Sequence, residues 1–184
     1  MTLRTTDFTD EIITAIKEGA VGVLRTDTLY GIVAHADNEA AVERMYAVKG
    51  RTPSKSPIVM IASIEQMYDE YDEETMKKIH EFWPGPNSLV LPSKKAPLWI
   101  TRGNLSVAYR IPDDEKLREF LKKTGPLVVP SANPEGRLPA QNMAEAEAYF
   151  GDKIDFYVDG GHAVDAAPSK LFRLQDNGEW ERLR

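Results

Sequence analysis

Apolar residues recur along this chain at two spacings, one close to 3.6 residues and one close to 2. Phe8, Ile12, Ile13 and Ile16 share one side of a helical repeat, acids crowd its start and Gly19 follows, so a helix is expected over residues 7–18. The unbroken apolar run at 20–24 predicts a buried strand, and 30–34 a second extended segment. Asn38 is placed to cap the next helix, whose inward side is Val42, Met45 and Tyr46 and whose end is Lys49-Gly50. Residues 58–61 form a short apolar run, and Ser63 with Gln66 has the spacing of a capping box. Asp72 opens a helix that must stop near Trp83, because Pro84 disfavours helical geometry in the residue before it.

Pro84-Gly85-Pro86 reads as a rigid turn feeding a strand at 88–91, and 106–111 alternates as a strand does. A helix starting at Pro112-Asp113 carries Leu117, Phe120 and Leu121 and closes at Gly125-Pro126. A strand is expected at 127–129, and Asn142 with Glu145 caps a last helix to Phe150. Strands are expected at 155–158, 169–174 and 180–183. Helices and strands interleave without strict alternation, which predicts an α/β fold with a twisted mixed sheet flanked by helices. No repeat, low-complexity tract or linker divides the chain, so residues 1–184 are expected to form one domain.

Composition narrows the class. Hydrophobic residues make up 42% of the chain and charged ones 28%, as in soluble globular proteins. No apolar run approaches the roughly 18 residues of a membrane span, and the polar N-terminus has no signal-peptide pattern. The absence of cysteine excludes disulfides and thiolate metal sites and suits the cytosol, so a cytoplasmic protein is expected. A net charge of −6 argues against broad nucleic-acid binding, which needs a basic face.

Several polar groups sit where a core would not need them. Thr26-Asp27-Thr28-Leu29-Tyr30-Gly31 follows the first buried strand; it is either a turn satisfying its own backbone or a set of groups orienting a small polar ligand. Lys49-Gly50 is ordinary helix termination, yet Arg51-Thr52-Pro53-Ser54-Lys55-Ser56 continues the positive charge on a segment short of apolar anchors, as a phosphate-gripping loop would. Ser131-Ala132-Asn133 follows a buried strand and is a plain turn or a ligand edge. Arg110 closes the strand 106–109; it can hold a carboxylate bidentately or be a solvated strand tip. His35, His80 and His162 lack metal-ligand spacing, and no P-loop, dinucleotide-binding or nucleophile-elbow pattern is present.

Together these segments resemble the YrdC/TsaC family of L-threonylcarbamoyladenylate synthases. The resemblance rests on Thr26–Gly31, on Lys49-Gly50-Arg51 with Ser131-Ala132-Asn133, and on Phe82-Trp83-Pro84-Gly85-Pro86. The strand 106–110 and Pro168-Ser169 complete the order. It implies an α/β twisted sheet around a concave basic cavity and an enzyme condensing L-threonine, bicarbonate (or CO2) and ATP into threonylcarbamoyl-adenylate and pyrophosphate. Downstream proteins would then complete the tRNA modification. Carried over by position, Thr28, Arg110, Ser131 and Ser169 would contact threonine. Lys49, Arg51, Lys55, Ser56, Ser106, Ser131, Asn133, Gln141 and Arg184 would face ATP, with Lys49 and Arg51 as the catalytic cations beside Mg2+ brought by the nucleotide. Asp27 is a candidate base by location alone. Arg25 stands where the family has proline, Asn87-Ser88 replaces Leu-Thr, the 54–56 segment is one residue longer, and Met60 lies where some members have histidine. The end at Arg184 implies that the extra C-terminal domain of long-form relatives is absent. The alternatives are an RNA-binding module contacting tRNA or double-stranded RNA, and a paralogue acting on another carbamoyl or acyl nucleotide.

Overall fold

A computed structural model describes residues 2–163 and 167–184. In chain order the elements are β1 (Leu3–Thr5), α1 (Asp10–Lys17), β2 (Gly22–Arg25), β3 (Tyr30–His35) and α2 (Glu39–Lys49). There follow β4 (Ile58–Met60), α3 (Glu73–His80), β5 (Asn87–Pro92), α4 (Leu98–Thr101), β6 (Ser106–Arg110) and α5 (Glu115–Thr124). The chain ends with β7 (Leu127–Val128), α6 (Met143–Phe150), β8 (Phe156–Val158), β9 (Lys170–Leu174) and β10 (Trp180–Arg182).

All ten strands join one mixed sheet in the order β1-β8-β2-β3-β7-β4-β6-β5-β9-β10. β2 and β3 form an antiparallel hairpin, β8 runs parallel to both β1 and β2, and β4 runs parallel to β6. Each face carries its own apolar cluster. On one, Ile12, Ile13 and Ile16 of α1 and Leu117, Phe120 and Leu121 of α5 pack on Leu24, Val33, Leu127 and Phe156. On the other, Val42, Met45 and Tyr46 of α2 meet Val23, Ile32, Val59, Tyr109 and Val128. The expected sheet flanked by helices is what forms, and no helix among the described residues is long and apolar enough to cross a membrane.

Local signals set the helix ends. Asn38 Oδ1 accepts the Ala41 N–H at 3.0 Å, and Gly50 closes α2 in the left-handed region at φ 61°. Thr9, Asp72, Asp114 and Asn142 cap their helices in the same way. α1 begins three residues later than expected because Thr9 takes the cap, and Phe8 instead stacks on Phe120 with ring centroids 4.3 Å apart. The Ser63–Gln66 capping box does not form. Ser63 makes no side-chain cap, and Gln66 Oε1 accepts the Ala62 N–H at 2.7 Å while its amide donates to Leu121 O. β1 and α4 were not anticipated. Each has only three or four residues, and β1 exists through its parallel register with β8, Leu3 opposite Phe156.

Candidate functional site

The alternating pattern of the central strands builds the floor of a cavity. Along β6, Ser106, Ala108 and Arg110 face the cavity while Val107 and Tyr109 point into the opposite core. β4 repeats this, with Ile58 and Met60 on the cavity side and Val59 in the core. β5 does so with Val90 and Pro92 against Leu89 and Leu91. Two hollows lie on this face. The larger, of about 1130 Å³, is bordered by the 51–56 segment, β6 and the β9–β10 hairpin. The smaller, of about 330 Å³, is bordered by the β2–β3 turn, the end of β6 and the turn after β7. Arg51, Ile58 and Arg184 border both.

The smaller hollow gathers residues far apart in sequence. Thr28, Arg110, Ser131, Asn133, Ser169 and Arg184 all line it, together with Arg51 and Arg137. Arg110 is 4% exposed; its Nη1 donates to Thr28 Oγ1 at 2.9 Å and its Nη2 forms an ion pair with Asp27. Asp27 Oδ2 also accepts the Asp113 N–H at 3.1 Å. The Asp27 carboxylate is therefore engaged as the counter-ion that aims Arg110, which removes it as a free base. Burial, with the Arg184 charge second, lowers the Arg110 guanidinium to about 10, so it remains charged at neutral pH. Its Nε has no partner among the described residues. Thr26 Oγ1 donates to Leu29 O at 2.7 Å and lies 3.1 Å from Thr28 Oγ1, which holds the hairpin turn in shape. Ser169, also buried, shares a 2.8 Å hydrogen bond with Ser88, and Arg184 donates through Nε to Ser169 O at 3.0 Å and through Nη2 to its hydroxyl at 3.2 Å. The Ser88 substitution is thus a support for Ser169.

Lys49 is placed differently from the phosphate-facing position expected of it. It lines neither hollow and is 3% exposed. Its Nζ donates to Ser131 O at 2.6 Å, Asn133 O at 2.6 Å and Asn133 Oδ1 at 3.1 Å. Three N–H groups meet three oxygens, which occupies every donor an ammonium has. Burial, with the Arg51 charge second, lowers this ammonium to about 8. Asn133 is equally engaged: its Oδ1 also accepts from Ser131 Oγ at 2.6 Å, and its Nδ2 donates to Pro134 O and Arg137 O. Lys49, Ser131 and Asn133 form a rigid turn that shapes the wall.

The larger hollow is bordered by Arg51, Lys55, Ser56, Ser106 and Arg184 of the expected nucleotide set. Arg51 is half-buried; Nε donates to Lys55 O at 3.3 Å and Nη2 to Ser56 O at 2.9 Å. The Lys55 ammonium pairs with Glu135, and Ser56 Oγ donates to Thr101 O at 2.8 Å. Gln141 is exposed and borders neither hollow; its backbone is used by Ala163 and Glu145. Arg137 was missed by sequence reasoning, which stopped at Ser131-Ala132-Asn133, although a cation four residues past Asn133 in an acidic chain was the available signal. Arg25, at the family's proline position, donates to Gly160 O at 2.8 Å and so braces the loop after β8.

A mixed sheet holding a hollow with four arginines and, among the described residues, no Asp or Glu side chain on its wall is suited to small anionic ligands. The family model described as "Telomere recombination", which groups Sua5, YciO and YrdC, matches residues 14–184, and this chain belongs to that family. A threonylcarbamoyl-AMP synthase of Pseudomonas fluorescens (strain Pf0-1) is 32% identical over 160 residues, covering 85% of this chain and 86% of that protein. One of Pseudomonas aeruginosa (strain UCBPP-PA14) is 34% identical over the same shares. P. abyssi Sua5, solved in complex with L-threonine, superposes with a TM-score of 0.88 at 31% identity and covers the whole of this chain, which spans 57% of Sua5. E. coli YciO shares the fold, with a TM-score of 0.85 at 17% identity over all of this chain and 95% of its own.

Proposed function

We propose that this chain is an L-threonylcarbamoyl-adenylate synthase, with threonine in the smaller hollow and ATP in the larger. The observation that carries this reading is the junction of the two hollows at Arg51 and Arg184. The reaction joins an amino-acid carbamate to the α-phosphorus of ATP, so its two substrates must meet at one point lined by cations. The threonine amine adds to CO2 and loses a proton, giving a carbamate. A carbamate oxygen then attacks the α-phosphorus as pyrophosphate departs. Negative charge grows on phosphate oxygens, where preorganised guanidinium groups stabilise it. Arg51 and Arg184 are assigned that role, and Arg137 is a further cation at the rim.

Arg110, aimed by Asp27, is assigned the threonine carboxylate, and Thr28 and Ser169 its polar groups. Lys49 acts by holding the Ser131–Asn133 turn instead of touching phosphate. Magnesium enters as part of the MgATP substrate, since phosphate oxygens are its natural ligands; among the described residues no group of three His, Asp or Glu side chains could hold it. The mixed anhydride product requires a partner enzyme that passes the threonylcarbamoyl group to tRNA. The decisive measurement is pyrophosphate release from ATP with threonine and bicarbonate omitted in turn. Release must depend on both; release independent of threonine would refute the assignment.

A further inference from the structure

The segment between α2 and β4 has neither helix nor strand, yet it borders the larger hollow through Arg51, Ser54, Lys55 and Ser56. With few buried side chains, its position is set by hydrogen bonds. At one side Ser56 Oγ donates to Thr101 O, and Asn104 Nδ2 donates to Ser54 O at 3.1 Å. At the other side the Tyr46 hydroxyl donates to Lys55 O at 2.7 Å, and one carboxylate makes the remaining side-chain contacts. Glu135 accepts the Thr52 N–H at 2.5 Å, accepts the Thr52 hydroxyl at 3.1 Å and pairs with the Lys55 ammonium. The Glu135 N–H donates to Lys49 O at 3.0 Å, so the same residue is joined to the end of α2. Arg51 in turn is aimed by the carbonyls of Lys55 and Ser56, which makes its direction depend on the path of this segment. Glu135 borders neither hollow.

We propose that Glu135 is a positioning residue for the nucleotide: it staples residues 51–56, through Thr52 and Lys55, to the loop after β7 and thereby aims Arg51 into the larger hollow. This inference rests on the reading of that hollow as the ATP site. Lys55 and the Thr52 N–H hold the carboxyl down at about 2, so the staple is ionised throughout the neutral range. Removing the carboxylate frees Thr52 and Lys55 at once, while the anchors at Thr101 and Asn104 keep the segment folded. Thr28 and Arg110, the groups assigned to threonine, receive no hydrogen bond from the segment, so their geometry is kept although Arg51 also borders the smaller hollow.

The test is separate titration of ATP and of L-threonine into the wild type, Glu135→Ala and Glu135→Gln, with urea unfolding midpoints as a control. Glu135→Ala is expected to weaken ATP binding roughly tenfold, on the order of one charge-assisted hydrogen bond. Glu135→Gln keeps an oxygen for the Thr52 N–H and is expected to fall between alanine and wild type. Threonine binding and the unfolding midpoint should stay near wild type in both. Unchanged ATP affinity in Glu135→Ala overturns the proposal. Tighter ATP binding overturns it too, because Glu135 would then be sequestering Lys55. Parallel losses of ATP and threonine binding with a lowered midpoint would show a general stability role and overturn it as well. A wild type that binds threonine but no ATP would overturn the functional reading itself, and this inference with it.

Discussion

Replacing Lys49 with methionine keeps the apolar stem in its buried channel and removes only the ammonium. Three oxygens lose a donor, and they are not equally exposed to that loss. Ser131 O retains the Asn133 N–H at 3.0 Å, and Asn133 Oδ1 retains the Ser131 hydroxyl at 2.6 Å. Asn133 O has the Lys49 ammonium as its partner at 2.6 Å and is left with none among the hydrogen bonds of the described residues. One orphaned buried acceptor costs about 1–3 kcal/mol, and each of the two weakened acceptors about 1 kcal/mol. Removing a buried charge returns part of that sum, because the ammonium no longer has to be desolvated. The net expectation is a loss of about 2–4 kcal/mol. Urea unfolding of wild type and Lys49→Met at pH 7 measures it directly. ATP binding should weaken as well, through a loosened Ser131–Asn133 turn. A stability loss below about 1 kcal/mol would refute the view of Lys49 as the organiser of this turn.

Other consequences concern the same walls. Asp27→Ala strands the buried Arg110 guanidinium and should cost about 3–5 kcal/mol, with threonine binding weakened at least tenfold; unchanged threonine affinity would show that Arg110 is aimed by other contacts. Because the folded Lys49 ammonium titrates near 8, below its ordinary value, the unfolded chain binds more protons between about pH 8 and 10.5. Stability should therefore rise across that window, while kcat/KM falls as the turn loses a donor. Urea midpoints at pH 7.5 and 10, compared with Lys49→Met, isolate this effect; a wild type that gains nothing relative to the variant would contradict it. Gly31→Ala would set a Cβ 2.4 Å from Val129 Cγ1 and should destabilise by about 1–3 kcal/mol, with Val129→Ala in the same chain restoring much of the loss in thermal unfolding.

Gly31 shows what a local pattern leaves out. In sequence, Gly31 closes a polar stretch that is either a plain turn or a ligand-orienting set. In the fold it does border the smaller hollow, but the close neighbour is Val129, across the bridge that pairs Gly31 with Ser131. Lys49 is similar. A cation before a terminal glycine is legible as helix termination, and that part holds, with Gly50 left-handed behind it. Its other partners lie 82 and 84 residues away, beyond any local pattern.

What the sequence determined by itself was everything settled within a few residues: the caps at Asn38, Asp72 and Asn142, the turn before β5, and the alternation along β6 that separates a cavity face from a core face. Motif order also identified the family. Only the tertiary structure decided which polar groups are spoken for. Hydrogen-bond donors are finite, and a buried charge must meet its partners wherever the sheet brings them. Hence Lys49 went to the Ser131–Asn133 turn and Asp27 to Arg110, while Arg137 came to the rim. Sheet order, with β7 between β3 and β4, made those meetings, and nothing in the spacing of residues encodes it locally.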